Sequence, residues 1–274
     1  MGQHVRQRRA HRQMIGVAGC GRMGKPMLAA LRGGGFEARG FDVLDMEESW
    51  ITDDASIFAL GIETLITVVR DQAQTEEVLF GAQSFVTAPA LKRIIICSTL
   101  SPRYLIGLHN RVPEHISLID APMSGAQVAA ETASLSFMIG GEDRELDEAQ
   151  PMFNAMGRHF HRMGPFGAGM QAKVLNNLLA ATNTAMTRLV LDWADKIGMD
   201  EEALLKLIST SSGQNWFATN FDNIEFSRDG HSLNNSIGIL VKDIASALDA
   251  APANVDTSLP ETIQSSIKHL KPRH

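Results

Sequence analysis

The sequence predicts an α/β chain: a doubly wound, mostly parallel sheet covered by helices, then an all-α domain joined to it by a long interdomain helix. Three observations carry this. The runs "ETLITVVR", "RIIICST" and "ISLIDAP" are apolar on both faces and rich in β-branched residues, as strands covered on both sides are, and helical stretches separate several of them. A glycine-rich turn follows the first apolar run and opens a helix. After Gly169 the strand-like runs cease, and Met170 to Ile197 is one proline-free helical stretch.

Taken in order, Ile15 to Ala18 is a short first strand. An amphipathic helix follows from about Met23 to Leu31, and the glycines at 33–35 end it, as glycines past a helix C-terminus do. "EARGFD" is the second strand, and the three apolar runs named above are the next. "LSFMIGG" and "RHFHRMG" are additional strands around the charged helix "DRELDEAQPMFNAM". The boundary falls in "GPFGAG". Residues 1–13 are expected to be a disordered basic tail, 14–166 the sheet domain and 167–274 the helical domain, with the interdomain helix at about 170–197. Gly198 stops that helix. "MDEEALLKLIST" is the next, with Asp200 as its N-cap, and "IGILVKDIASALDAA" and "LPETIQSSIKHL" are two more.

Totals exclude several classes. With 274 residues and 44% hydrophobic content the chain can bury a large core, and 20% charged residues is too few for a disordered chain. A net charge of -6 argues against nucleic acid, which needs clustered Lys and Arg. The exception, "MGQHVRQRRAHRQ", reads as a frayed tail, with a nucleic-acid or targeting arm as the alternative; it has no apolar h-region and is no secretory signal. Two cysteines, Cys20 and Cys97, give no disulfide framework and fit a reducing cytoplasm. No apolar run reaches the length of a membrane span. His159 and His161 would share a strand face, but two ligands are too few for a metal, and none is expected.

The chemistry starts at Gly19-Cys20-Gly21-Arg22-Met23-Gly24. A G-x-G-x-x-G alone is weak, but this one follows a strand and opens a helix, and Asp42 lies eighteen residues past Gly24 at the end of the next strand. That is the dinucleotide fingerprint of a Rossmann-type domain in its required context. Gly19 makes the tight turn, Gly21 lets the backbone approach a pyrophosphate at the helix N-terminus, and Gly24 lets helix and strand pack closely. Asp42 would accept hydrogen bonds from ribose hydroxyls and repel a 2′-phosphate, favouring NAD, with NADP possible because Arg39 stands nearby.

Four further stretches carry candidates. In "CSTLSP", after a strand, Thr99 is placed to contact the nicotinamide end, the alternative being a strand-end cap by Ser98 or Thr99. In "DAPMSGA", Ser124 and Gly125 offer a hydroxyl and backbone N–H groups in a turn that suits a carboxylate, or simply form a turn. Lys173 and Asn177, four apart, share one face of the long helix. A lysine in a partly desolvated cleft has its pKa lowered, which suits proton transfer, and Asn177 can orient it without adding charge; the alternative is a surface lysine snorkelling at a helix start. Lys242 and Asp243 form either a solvated pair or a lysine reaching toward the cofactor.

These motifs, in this order, resemble the β-hydroxyacid dehydrogenase family, which includes 3-hydroxyisobutyrate dehydrogenase, tartronate semialdehyde reductase and glyoxylate/succinic semialdehyde reductases. The resemblance covers roughly residues 14 to 250. It implies an N-terminal Rossmann domain that binds the dinucleotide and a helical domain that closes over it. The family's catalytic lysine falls on Lys173 and its supporting asparagine on Asn177. Its carboxylate-binding turn falls on Ser124, Gly125 and Ala126, its cofactor-contacting threonine on Thr99, and the lysine of its KD pair on Lys242. The turn residues Arg22 and Met23 join the glycines in holding the cofactor. The usual Leu-Pro contact after the fourth strand is here Val69-Arg70.

Departures from the pattern are local. The family's Ser-Gly-Gly ends here in Ala126, whose methyl would narrow the carboxylate turn, and its Gly-Thr-Leu is here Ala133-Ser134-Leu135. The stretch after Lys242-Asp243 is shorter than the family's usual closing helix and tail, which often contribute subunit contacts. The loop at 228–236, where family members shape the substrate pocket, is also short; around it, Trp216 and Phe217 line the pocket or pack the core.

The expected activity is NAD(P)-dependent hydride transfer at the alcohol carbon of a small 3-hydroxy acid, or reduction of the matching semialdehyde, with Lys173 as general acid/base. The expected setting is a cytoplasmic homodimer or homotetramer that takes a carboxylate-bearing substrate and contacts neither nucleic acid nor membrane. The rivals are a catalytically silent dinucleotide-binding protein and an imine reductase; retention of Lys173 argues against both.

Overall fold

The computed structural model describes residues 13–273; the basic-tail expectation for residues 1–13 falls almost wholly outside them. The chain divides into two compact units, Met1–Lys173 and Val174–His274.

The first unit is built on one sheet of nine strands: β1 (Met14–Ala18), β2 (Ala38–Phe41), β3 (Ile51–Thr52), β4 (Ile62–Thr67), β5 (Arg93–Ile96), β6 (Ser117–Asp120), β7 (Met123–Ser124), β8 (Leu135–Gly140) and β9 (Gly157–Gly164). The order is β3-β2-β1-β4-β5-β6-β8-β7, with β9 also paired to β8. Strands β1 to β6 run parallel to their neighbours. At β8 the sheet turns antiparallel to β6 and β7, while β9 lies parallel to β8. Two strands are too short to read in the sequence, β3 and β7, each of two residues.

Helices cover both faces. They are α1 (Gly24–Gly33), α2 (Ala55–Ala59), α3 (Gln72–Leu79), α4 (Pro102–Gly107), α5 (Ala126–Glu131) and α6 (Asp143–Met156). The apolar runs explain this directly, because successive side chains of a strand point to opposite faces. On β5, Ile95 enters one core with Val17, Met27, Leu28 and Phe153, while Ile94 and Ile96 enter the other with Phe41, Phe58, Leu79 and Leu105. Helix α1 runs two residues past its expected end. The turn closes only at Gly35, whose φ of +84° suits a residue without a Cβ. Asp54 and Asp71 cap α2 and α3 with their carboxylates.

Helix α7 (Ala168–Lys196) passes from the first unit into the second. The second unit then contains α8 (Glu201–Ser209), α9 (Trp216–Thr219), α10 (Ser236–Asp249) and α11 (Ser258–Lys268). Asp200 caps α8 by accepting from the Ala203 N–H at 2.8 Å. Arg188, buried on α7, donates to the carbonyls of Ser227, Asp229 and Lys271, so one side chain holds the 227–229 turn and the last residues of the described chain. Arg273 adds ion pairs to Asp192, Asp195 and Glu201. Phe217 packs in the core with Phe221 and Phe226, whereas Trp216 is exposed.

Candidate active site at the carboxyl edge of the sheet

Parallel register brings the carboxyl ends of five strands into one row. Phe41 pairs with Ala18, Ala18 with Thr67, Thr67 with Ile96, and Ile96 with Asp120. The ladder continues one residue beyond, through Gly19 N–H to Phe41 O, Val68 N–H to Ala18 O, Cys97 N–H to Thr67 O and Ala121 N–H to Ile96 O, all at 2.8–2.9 Å. The segments leaving this row are the glycine turn, Asp42, Val69-Arg70, Ser98-Thr99 and 120–126. Each is a segment that the sequence singles out, and topology gathers them on one edge, where open α/β sheets bind ligands.

The glycine turn has the shape its spacing implies. At Gly19, φ is +93° and a Cβ would stand 2.8 Å from Val68 O and 3.0 Å from Val69 Cγ1, so Val69 borders the turn. A Cβ on Gly24 would collide with Gly19 O, which is the close helix–strand approach assigned to the third glycine. Around Gly21 a Cβ would meet no protein atom within 4 Å. Packing within the chain therefore does not require glycine there, and the space beside the turn is open. Arg22 is exposed on the turn and Met23, half-buried, is the N-cap of α1. That N-cap makes no side-chain hydrogen bond and the first turn has no acidic residue, leaving the helix N-terminus open to an anion.

Asp42 does more than its spacing suggests. Its Oδ2 accepts from the Cys20 N–H at 2.7 Å and its Oδ1 from the Leu44 N–H at 3.1 Å. A carboxylate has about four acceptor positions, so two remain for ribose hydroxyls. Arg39 is drawn away from this edge: its guanidinium donates to Ile57 O and Leu60 O, each at 2.6 Å. Cys20 is buried beside Asp42, and burial first, then that charge, pushes its thiol up to about 12, so it is inert. These residues fit a dinucleotide.

Arg70 is exposed, lies 3.3 Å from Asp71, and its N–H donates to Gln74 Oε1. Thr99 is half-buried beyond β5. Ser101, directly before α4, caps that helix by accepting from the Tyr104 N–H. Ser124 is half-buried in β7, opposite Ser136. Gly125 follows at φ +129° and Ala126 at φ +54°, a left-handed conformation that non-glycine residues seldom adopt. Ala133 repeats this at φ +49°.

Lys173 is 8% exposed, so the snorkelling surface lysine is ruled out. The helix that carries it starts on Asp120. This residue is fully buried, and its carboxylate accepts from the Gly167 N–H at 2.7 Å and the Met170 N–H at 2.5 Å. Burial pushes Asp120 up to about 6, against the lowering effect of those N–H groups. The sequence alone gives Asp120 no role beyond opening the "DAPMSGA" stretch.

Asn177 and Lys242 belong to the second unit. Asn177 Nδ2 donates to Asp243 Oδ2 at 2.6 Å, and Asn176 Nδ2 donates to Asn177 Oδ1 at 3.3 Å. Asp243 is 3% exposed, so the solvated Lys242–Asp243 pair is corrected: the aspartate is buried as the partner of Asn177, while Lys242, next along α10, is half-buried. Asn176, to which the sequence gives no role, steadies the same amide. Among the described residues no group of three or more His, Cys, Asp and Glu is placed to hold a metal, and no helix is long and apolar enough to cross a membrane.

Comparison with known proteins gives the same picture. Residues 14–164 match the NAD binding domain of 6-phosphogluconate dehydrogenase, and residues 167–271 match the NAD-binding domain of NADP-dependent 3-hydroxyisobutyrate dehydrogenase. A 3-hydroxyisobutyrate dehydrogenase of Pseudomonas aeruginosa is 32% identical over 211 residues, covering 74% of this chain and 71% of that one. An NAD-dependent L-serine dehydrogenase of the same organism is 28% identical over 262 residues, covering 90% and 88%. The solved structure of Mycobacterium tuberculosis 3-hydroxyisobutyrate dehydrogenase with L-serine superposes with a TM-score of 0.80 at 25% identity, covering 95% of this chain and 96% of that one.

Proposed function

This chain belongs to the 3-hydroxyisobutyrate dehydrogenase family, with the NAD-binding domain of 6-phosphogluconate dehydrogenase, and from that membership we propose how its residues divide the work. It is an NAD(P)-dependent hydroxyacid dehydrogenase. The substrate class we infer is a 3-hydroxy acid with a small substituent on C2. The relatives point there: L-serine and 3-hydroxyisobutyrate share a CH2OH group, one substituted carbon and a carboxylate.

The nicotinamide cofactor, when bound, accepts hydride from the alcohol carbon or returns it to the aldehyde. Gly19, Gly21, Arg22, Met23 and Gly24 would hold its pyrophosphate on the N-terminus of α1. Asp42 would take the ribose hydroxyls and favour NAD. Val69, Arg70, Thr99 and Lys242 are the remaining cofactor contacts of this reading. Ser124 Oγ and the backbone N–H groups of Gly125 and Ala126 bind the substrate carboxylate and so fix which hydrogen faces the cofactor. Lys173 Nζ takes the hydroxyl proton in oxidation and returns it in reduction. Asn177, one turn on, offers its amide oxygen on the same face of α7.

The observation that carries this reading is Lys173 itself, a buried lysine early in a helix seated at the carboxyl edge of the sheet. Its test is nicotinamide absorbance with L-serine, 3-hydroxyisobutyrate, other small 3-hydroxy acids and their semialdehydes, using NAD(H) and NADP(H). We expect turnover by wild type and a loss of about 10²–10⁴-fold in Lys173→Ala. Near-normal turnover by the variant would overturn the role of Lys173.

We also place the enzyme in the cytoplasm, on its two unpaired buried cysteines, and read it as a homodimer or homotetramer. Leu175, Leu179, Met186 and Trp193 are exposed along one face of α7 and, with Ile197 just past its end, form an apolar stripe that a second copy would cover. Light scattering on the purified chain tests this; a monomer at micromolar concentration would refute it.

A further inference from the structure

We propose that Asp120 is a positioning residue for the reaction: its carboxylate seats the N-terminus of α7 on the end of β6 and so fixes Lys173 relative to the carboxylate-binding turn at Ser124. The proposal rests on the reading of Lys173 given above and assigns Asp120 no contact with substrate.

Three observations carry it. First, the seat is two-pronged. Oδ1 accepts from Gly167 and Oδ2 from Met170, so one carboxylate satisfies two N–H groups at a helix start that would otherwise be unpaired in a buried place. Two bonds to two oxygens of one rigid group resist both sliding and rotation of the helix end. Lys173 follows Met170 by three residues, less than one turn along the chain.

Second, there is no slack around the seat. A Cβ on Gly140 would collide with Asp120 Oδ1 and stand 2.7 Å from Pro165 O. A Cβ on Gly169 would collide with Met138 O and stand 2.9 Å from Asp120 Oδ2. Two glycines on different elements thus make room for one carboxylate, and the backbone of α7 rests directly on β8.

Third, the same strand holds the other half of the site. Asp120 pairs with Gly140 of β8, and Ser124 pairs with Ser136 of β8. The lysine's helix and the carboxylate turn are therefore both referred to β8, with Asp120 belonging to each connection.

The charge has a separate consequence. A negative group at a helix N-terminus offsets the partial positive charge there. Removing it leaves a more positive potential near Lys173, which disfavours the ammonium form. Cys97, following β5, has its thiol kept protonated by burial first and then by the Asp120 charge, and Lys173 follows Met170 by three residues on α7. The residues of β8 and of the 165–170 segment carry no charge.

The test uses Asp120→Asn and Gly169→Ala in the full chain, with kcat and KM for the hydroxy acid across pH and NADH affinity by fluorescence. Asparagine keeps the shape but loses one acceptor and the charge; alanine at 169 displaces the helix start and keeps the charge. We expect kcat to fall tenfold or more in both, with NADH affinity within about threefold of wild type. The rise of kcat/KM with pH moves to lower pH in Asp120→Asn alone. Folded Asp120→Asn with unchanged kcat and profile, or a kcat loss in Gly169→Ala no larger than its loss of NADH affinity, overturns the proposal. Should Lys173→Ala keep its activity, the reading of Lys173 fails instead, and that measurement is independent of both variants.

Discussion

The carboxylate of Asp42 accepts a hydrogen bond of 2.7 Å from the backbone N–H of Cys20, the second residue of the glycine turn. The residue that would read the ribose therefore also braces the loop that would hold the pyrophosphate. Asp42→Ala should then weaken NAD binding by more than the ribose contact alone. Losing a hydrogen bond to a charged group costs about 1.5–3 kcal/mol, roughly ten- to hundredfold in affinity. NADP should suffer less, because its 2′-phosphate no longer faces a carboxylate, and the gap between the two cofactors should narrow. Dissociation constants for both decide this. A wild type that already prefers NADP would defeat the assignment of Asp42.

A second pair governs the amide of Asn177, held at 2.6 Å by the buried carboxylate of Asp243. The bond fixes which end of the amide is the donor, and so directs Oδ1 elsewhere. Asp243→Ala should leave that amide without this acceptor, destabilising the fold by about 1.5–3 kcal/mol and lowering kcat as Asn177 loses its orientation. Asp243→Asn, which keeps an acceptor oxygen, should lose less on both counts. Urea midpoints and kcat for the two variants are the check; equal effects would mean that Asp243 acts by charge alone.

These two pairs mark where sequence reading stops. Strand–helix alternation, the glycine turn, the Asp42 spacing and the long helix are legible because each is a local pattern with a fixed period or offset. Asp200 as a cap is legible for the same reason. The bonds that lock the site are not. Asp120 finds Gly167 forty-seven residues away, and Asn177 finds Asp243 sixty-six residues away. Nothing in composition or spacing announces a partner at that range. The acid of "KD" reads as solvated because adjacent opposite charges usually are; burial on α10 decides otherwise. Strands β3 and β7 escape notice because two residues carry no alternation.

The departures at Ala126 and Ala133 gain a physical meaning from their backbone, at φ +54° and +49°. Both stand where the resembling family has glycine, and both keep the left-handed conformation. An L-residue there costs about 1–2 kcal/mol, while a new glycine gives back about 0.4–1 kcal/mol through the unfolded chain. Ala126→Gly and Ala133→Gly should each be neutral to stabilising by up to about 1 kcal/mol. Ala126→Gly should also lower KM for the hydroxy acid, since it removes the methyl at the carboxylate turn. A clear loss of stability in the urea midpoint of either variant would show that the methyl packs usefully.

Asp120 predicts how stability follows pH. Burial raises its carboxyl from the ordinary 3.8 to about 6 in the folded chain. The folded state therefore binds a proton more readily than the unfolded state between about pH 4 and pH 6. The stability this group contributes is fully present below about pH 4, is lost as pH rises through about 6, and is level above that. A tenfold change in proton affinity corresponds to about 1.4 kcal/mol, so the whole step is about 3 kcal/mol. Other carboxylates work in the opposite sense: Arg111 holds Glu76 below its usual range, and such groups lose stability on acidification. Total stability thus hides the step, and the difference between wild type and Asp120→Asn isolates it. Asparagine replaces one accepting oxygen by an amide, a cost that does not vary with pH. Urea unfolding of both proteins from pH 4 to pH 8 should give a difference that favours wild type most at the acid end and shrinks by up to about 3 kcal/mol toward pH 7. A difference constant across that range would mean that the N–H groups of Gly167 and Met170 outweigh burial and keep Asp120 ionised throughout.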